Sequence, residues 1–204
     1  MNFTKFLIID LFLILFGLPL LLIIEGNRAK ASLLSIFDDN GKKDQASTNI
    51  PPHQKLLELE KISRKDGSGI ESESLIGLWK FVSVWKKGEE NEDPIASSLL
   101  RIFSASLEIT KDQSNQFAIS NYINFGLLSI RFSGAGNLKG KQPLLPFFFE
   151  YIELKAASSI LLSQSLKIPE ESKMPFFGLI AMGKDGKWLS ARGRGGGLAL
   201  WVKG

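Results

Sequence analysis

Side chains able to do covalent or acid–base chemistry are few in this chain, and they are badly spaced for it. His53 is the single histidine and cysteine is absent, so neither a His/Cys metal cluster nor a cysteine nucleophile is available. His53 follows Pro51-Pro52 at the start of a helical stretch, which suits an exposed surface or capping role. Glu150 and Glu153 form a candidate carboxylate pair beside Phe147-Phe148-Phe149. Three residues apart on a regular strand, they point to opposite faces and read as sheet-surface charge. The serines have no histidine partner in a recognisable nucleophile motif. Nothing here requires an enzyme, a metal or a cofactor, and the expected activity is binding.

Two other stretches say more. Gly77-Leu78-Trp79 opens the first strand-like run of the second half, and Arg192-Gly193-Arg194-Gly195-Gly196-Gly197 comes just before the last. An arginine–glycine box for RNA is one reading of the latter. It weighs less because the box occurs once, between Trp188 and Trp201 in strand sequence, so no nucleic-acid partner is expected. A phosphate-cradling loop fails as well: no Lys-Ser/Thr follows, and the next element is a strand rather than a helix. A hairpin that needs positive φ accounts for the glycines more simply. Trp79 is then placed to plug one end of a barrel. Arg192 or Arg194 would lie across its indole face, a contact worth about 0.5 to 2 kcal/mol that ties the first strand to the last.

The elements that must hold these residues are strands. Apolar alternation marks Leu78 to Trp85, Leu99 to Ile109, Gln116 to Tyr122, Leu127 to Ser133, Phe147 to Leu154, Ile160 to Ile168, Phe176 to Met182, Trp188 to Arg192 and Leu198 to Val202. Polar or glycine-bearing turns separate most of them, Gly183-Lys184-Asp185-Gly186 being the clearest hairpin signal. No long helical period interrupts the series. The fold expected is mainly β, an antiparallel barrel of about eight strands over residues 52 to 204. A helix from His53 to Arg64, with Leu56, Leu57, Leu59, Glu60 and Ile62 as an incomplete amphipathic stripe, leads into it. Glu71 to Ile76 adds a short helical turn just before the first strand.

Fifteen Phe and four Trp against two Tyr give a dry interior, because Phe has no polar group that needs a partner. Phe103, Phe117, Phe125, Phe132, Phe147, Phe149, Phe176 and Phe177 either pack on one another as a plain core or line a cavity for a long apolar ligand. Three consecutive Phe cannot all face inward on one strand, so one of Phe147 to Phe149 is left for membrane, ligand or partner. The absence of cysteine makes the chain equally at home in reducing and oxidising compartments. Residues 94 to 204 carry 13 Lys+Arg and 7 Asp+Glu, a net +6, against −2 for residues 1 to 93. No block of five like charges occurs, so this reads as solubilising surface with a weak pull toward anionic membranes.

Residues 1 to 31 read as a membrane segment. Phe6 to Ile24 is apolar apart from Asp10, Gly17 and Pro19, and nineteen helical residues span roughly 28 Å, close to a hydrocarbon core. Asp10 lies one turn inside the end, within reach of the headgroups. A cleaved signal peptide is the alternative, with Lys5 as a basic start and Ala29-Lys30-Ala31 as small residues for a peptidase. Residues 32 to 51, rich in Asp, Asn, Gly, Lys and Ser, read as a flexible polar linker.

The Gly77-Leu78-Trp79 opening is similar to the Gly-x-Trp signature of lipocalin-like (calycin) barrels. The ending from Arg192 to Lys203 resembles the terminal Arg-Gly-x-x-Gly strand pair of the plastid lipid-associated proteins, or fibrillins, which are lipocalin-like proteins of plastids and cyanobacteria. The likeness covers residues 52 to 203. It departs where the family carries an acidic residue and another arginine before its Arg-Gly, since this chain has Lys187-Trp188-Leu189-Ser190-Ala191. The resemblance implies a thylakoid or plasma-membrane protein with membrane lipid as a partner, which handles an apolar small molecule such as a carotenoid or quinone; it does not imply a reaction. A non-enzymatic adaptor that recruits a protein to the membrane is the alternative, and a barrel-type enzyme such as a cyclase or chromophore lyase is the third reading. The residues expected to line the cavity or close the barrel are Trp79, Phe81, Phe132, Phe147, Phe149, Phe177, Arg192 and Arg194.

Overall fold

A computed structural model describes residues 50–93, 96–97, 104–111, 116–140 and 143–204. The membrane segment, the linker up to residue 49 and Phe103 lie outside the described residues, as does the side chain of Phe125. Among the described residues no helix is long and apolar enough to cross a membrane.

Helix α1 (His53–Asp66) begins after Pro52, whose carbonyl accepts from Leu56 N at 3.2 Å. A 3₁₀ turn, Glu73–Leu75, follows. Nine strands lie among the described residues: β1 (Gly77–Trp85), β2 (Ser106–Lys111), β3 (Phe117–Phe125), β4 (Leu128–Gly136), β5 (Leu144–Ala156), β6 (Ser159–Ser165), β7 (Phe176–Met182), β8 (Trp188–Gly193) and β9 (Leu198–Lys203), with a second 3₁₀ turn, Glu171–Lys173, between β6 and β7. They form one antiparallel sheet in the order β4-β3-β2-β1-β9-β8-β7-β5-β6, and a further β4–β5 pairing makes its hydrogen bonding ring-like. Eight strands share the ring, while β6 extends β5 outside it.

Strand β5 has several neighbours to serve. It pairs with β4 from Phe147 to Ala156 and with β6 from Tyr151 to Ala156. With β7 it shares only Leu144↔Gly178, Leu145↔Phe177 and Pro146↔Phe176. The β5–β7 seam is therefore the shortest in the ring.

Strict alternation does not survive this closure. Register shifts fall between Phe81 and Ser83 on β1 and between Leu179 and Ala181 on β7, and where Ser133-Gly134 of β4 meets β5. Each extra residue bends its strand and reverses which side chains face inward. Trp79 and Phe81 point into the ring and so does Val84, while Trp85 turns outward. On β5, Phe147 and Phe149 face inward, and after the bulge at Glu150 the inward residue is Ile152, opposite Phe132.

Two apolar layers result. Ring residues including Trp79, Leu107, Ile119, Phe147, Leu189 and Trp201 form the interior, which Leu75 and Ile70 join from the segment before β1. Outside, Leu56 of α1 packs on Trp85, Ile180, Trp188, Leu198 and Leu200. A fully buried leucine such as Leu56 contributes about 1.5 to 3 kcal/mol, which explains how an incompletely amphipathic helix stays docked.

Gly134 sits where β4 and β5 come closest. A Cβ there would stand 1.9 Å from the Phe148 carbonyl oxygen and 2.7 Å from Phe149 Cα, and backbone cannot yield as a side-chain tip can. Gly134→Ala is expected to destabilise the fold by about 3 kcal/mol, read as a lower urea midpoint. An unchanged midpoint would mean that the β4–β5 approach is looser than described.

Candidate functional site

Six of the eight residues singled out in the sequence come together inside the ring, and the two arginines leave it. Trp201 T-stacks on Phe177 (centroids 5.4 Å apart), Phe177 stacks on Phe147 (5.0 Å), Phe147 meets Phe149 edge-on (5.5 Å) and Phe149 meets Phe132 (5.4 Å). Phe81 joins beside Trp201 at 4.8 Å. This is a continuous file of rings across strands β9, β7, β5 and β4. Phe132, Phe147 and Trp201 are buried, yet Phe81, Phe149 and Phe177 keep accessible surface although they face the same interior. Phe148 alternates to the other face and is half-buried.

Trp79 plugs the interior on the side of the 3₁₀ turn: it is fully buried, and its indole N–H donates to the Leu75 carbonyl at 2.8 Å. The cation expected on its face is neither arginine. Lys203, directly opposite Trp79 in the β1–β9 register, places Nζ 5.2 Å from the indole centroid. Gly77 makes room for it, since a Cβ there would stand 2.8 Å from Lys203 Cε. The tie between first and last strands therefore exists, with a different cation.

Strand alternation explains why Arg192 is elsewhere. It shares the outer face of β8 with Trp188, under α1. There Nε donates to Glu60 Oε1 at 2.7 Å, Nη2 donates to Glu60 Oε2, and Nη1 donates to the Gly196 carbonyl at 2.6 Å. Arg64 adds a second guanidinium to Glu60 at 2.7 Å. A bidentate, largely buried fork of this kind fixes helix to sheet and to the β8–β9 hairpin at once. That hairpin closes as its glycines suggested, with Gly193 N–H on the Gly197 carbonyl at 2.9 Å and Gly196 at φ 85°.

Arg194 has a third role. Its Nη1 and Nη2 donate to the carbonyls of Met174 and Ser172, at 2.8 and 2.7 Å. It thereby pins the segment from Leu166 to Pro175, which runs between β6 and β7 alongside the short seam. Leu166 N–H to the Glu150 carbonyl (2.6 Å), Phe147 N–H to the Pro175 carbonyl (3.0 Å) and a Lys139–Glu171 pair (3.0 Å) hold the same strap.

His53 is half-buried rather than exposed. Its ring stacks on Trp85 at 5.0 Å and 20°, joining the first residue of α1 to the outer face of β1. Burial, helped by the Arg192 charge and opposed by Glu90, holds its pKa below the ordinary value. Neither Trp201 in the file of rings nor the Glu60–Arg192 pair is expected from the sequence. Among the described residues no group of three His, Cys, Asp or Glu converges as a metal site. The chain matches no family model, and no curated protein is found similar to it.

Burial alone would raise the Glu60 pKa, but the hydrogen bonds and charges of Arg192 and Arg64 outweigh it and hold it below the usual value. Glu60 and His53 thus both bind protons more weakly in the folded state, so stability is present above their unfolded values and lost on acidification. Urea unfolding should show a first loss as pH falls below 6.5, from His53, and a second below 4.5, from Glu60. Glu60→Gln is expected to cost about 3 kcal/mol at neutral pH, because Arg192 loses its counter-charge, and to erase the second loss only. A variant that keeps the second loss would remove Glu60 as its source.

Proposed function

We propose that this chain is a lipocalin-like β-barrel protein of the plastid lipid-associated (fibrillin) type, which holds a lipophilic molecule inside the ring at a photosynthetic membrane. The observation that carries the reading is the file of aromatic rings from Trp201 to Phe132, in which Phe149 and Phe177 stay partly accessible while facing the interior. Flat apolar walls of this kind suit a lipid tail, a carotenoid or a quinone. Burying such a molecule yields about 25 cal/mol per Å² of apolar area, with few polar groups needed to orient it. The mechanism is sequestration, with no bond made or broken.

The β5–β7 seam supplies a way in. Only three residue pairs close it, and Phe147, Phe149 and Phe177 stand behind it. The strap pinned by Arg194 is the part that would move aside. The apolar run Phe6 to Ile24 is the expected anchor in a thylakoid or plasma membrane, with residues 32 to 51 as tether.

One observation favours a second reading, that of an adaptor for a protein partner. Strand β6 is exposed at every residue, Ile160, Leu161 and Leu162 among them, and it ends the sheet order. Uncharged apolar edges of this kind take up strands from other chains.

Organic-solvent extraction of the full chain, purified from a photosynthetic host in mild detergent, separates the two readings. Recovery of a near-equimolar pigment, quinone or lipid is expected, and Phe149→Ala with Phe177→Ala should lower it about tenfold without abolishing folding. An empty extract from a folded protein that instead retains a bound polypeptide would favour the adaptor.

A further inference from the structure

Two of the hairpins carry no charge at their turns. Residues 113–130, which include all of β3 and the β3–β4 turn, contain no charged side chain, and neither do residues 156–166, which include the β5–β6 turn and all of β6. Leu127, at 77%, is the most exposed large apolar residue among those described, and Leu128, Ile160, Leu161 and Leu162 are exposed as well. The two turns form one edge, because Ala157 N–H donates to the Leu127 carbonyl at 2.6 Å and Leu128 is paired with Ala156. A contiguous apolar edge without charge marks a surface that another phase or molecule covers.

The strand register fixes which end of the ring this is. Strand β1 runs from Gly77 to Trp85, and the ladders set Ser106 beside Lys80, Tyr122 beside Ser106 and Arg131 beside Tyr122. Both turns therefore lie at the Trp85 end, together with Leu198 and the β8–β9 turn, and away from the Trp79 plug. The described chain enters at the same end. Ile50 joins the outer layer, and His53 stacks on Trp85. Only 25 residues separate Ile50 from Ile24, the end of the apolar run proposed as the anchor. A bilayer that holds this run is tethered to the end of the ring that carries the bare apolar turns.

We infer that the β3–β4 and β5–β6 turns enter the lipid surface and dock the ring on the bilayer, with the Trp85 end against lipid and the Trp79 end in water. This deepens the reading of the chain as a membrane-anchored protein and rests on it. Leu127, Leu128, Ile160 and Leu161 go into the boundary between headgroups and acyl chains, where no charge has to be desolvated. Entry stops there, since β6 ends the sheet order and its outer edge presents backbone N–H and C=O groups that hydrocarbon cannot satisfy. The attraction is apolar rather than electrostatic: Lys155, just before the turn, already has Glu153 at 3.8 Å. Strand β7 also begins at this end, with Phe177 opposite Gly193, which puts the start of the β5–β7 seam on the lipid side.

Because cysteine is absent, single cysteines report position without background. Ser158→Cys on the β5–β6 turn and Lys184→Cys on the β7–β8 turn at the opposite end, both exposed in wild type, are labelled with nitrobenzoxadiazole in the full chain. Each is reconstituted into phosphatidylcholine vesicles with and without spin-labelled acyl chains. The label at 158 is expected to shift to the blue and to lose most of its emission to the spin-labelled lipid, while the label at 184 does neither. Leu127→Asp with Leu161→Asp should restore the emission at 158 with the chain still on the vesicles; should that variant fold poorly, the two labels in the otherwise native chain decide alone. Equal quenching at both positions overturns the docking and leaves the anchor standing. So does absence of quenching at 158 in a vesicle-bound chain, the outcome expected if a protein strand covers β6 instead. A chain that does not stay with the vesicles overturns both.

Discussion

A thirteen-residue strand that must hydrogen-bond to β4, β6 and β7 cannot do so along its whole length with each of them. β5 divides itself: its first residues go to β7, its last to β6, and the stretch between has a ladder partner only on the β4 side. The ring exists because those three β7 pairs form. Nearly everything of functional interest gathers at this thin closure, because backbone left without a ladder neighbour must find other partners. Phe147 N–H and the Glu150 carbonyl take theirs from the strap, and the strap in turn needs Arg194. Closure also dictates the bulges, since an evenly pleated sheet would not curve far enough to meet itself.

The two sides of the sheet are stabilised by different physics. Inside, apolar rings contact one another in tilted and edge-on arrangements worth about 0.5 to 1.5 kcal/mol per pair beyond their burial. Outside, helix α1 covers β1 and β7 to β9, held by one leucine-centred patch and by a carboxylate shared between two guanidinium groups. Neither side suffices alone. A helix with only three buried residues, Leu56, Glu60 and Ser63, would drift on a smooth apolar face, and the Glu60–Arg192 fork gives it a fixed position and direction.

Much of the strand pattern was legible because a half-buried strand writes its period into the sequence. Runs such as Phe176 to Met182 and Leu198 to Val202 fall almost residue for residue on β7 and β9. The bulges were not legible. Nothing about Val82 or Ile180 marks it as the residue that reverses the alternation, because the signal lies in how distant strands meet. Arg192 was read as facing Trp79 for the same reason. Its place opposite Leu198 on the outer face follows only from the ladder, and its partner is 132 residues away. Trp201 lies in the wholly apolar run Leu198 to Val202, where no alternation marks its face, and its place opposite Phe81 likewise follows only from the ladder.

The pairing of β1 with β9 sets a condition on how the chain is made. Lys203 of β9 must meet Trp79 for the ring to close, and α1 cannot settle until β7 to β9 exist to receive it. Contacts of such long sequence separation slow folding, since the loop entropy is lost before the contacts form. During synthesis the first half of the domain is therefore extruded with Leu56, Trp79 and Trp85 still uncovered, and β9 completes it. A ribosome that stalls before β9 releases an adhesive fragment rather than a smaller version of the fold.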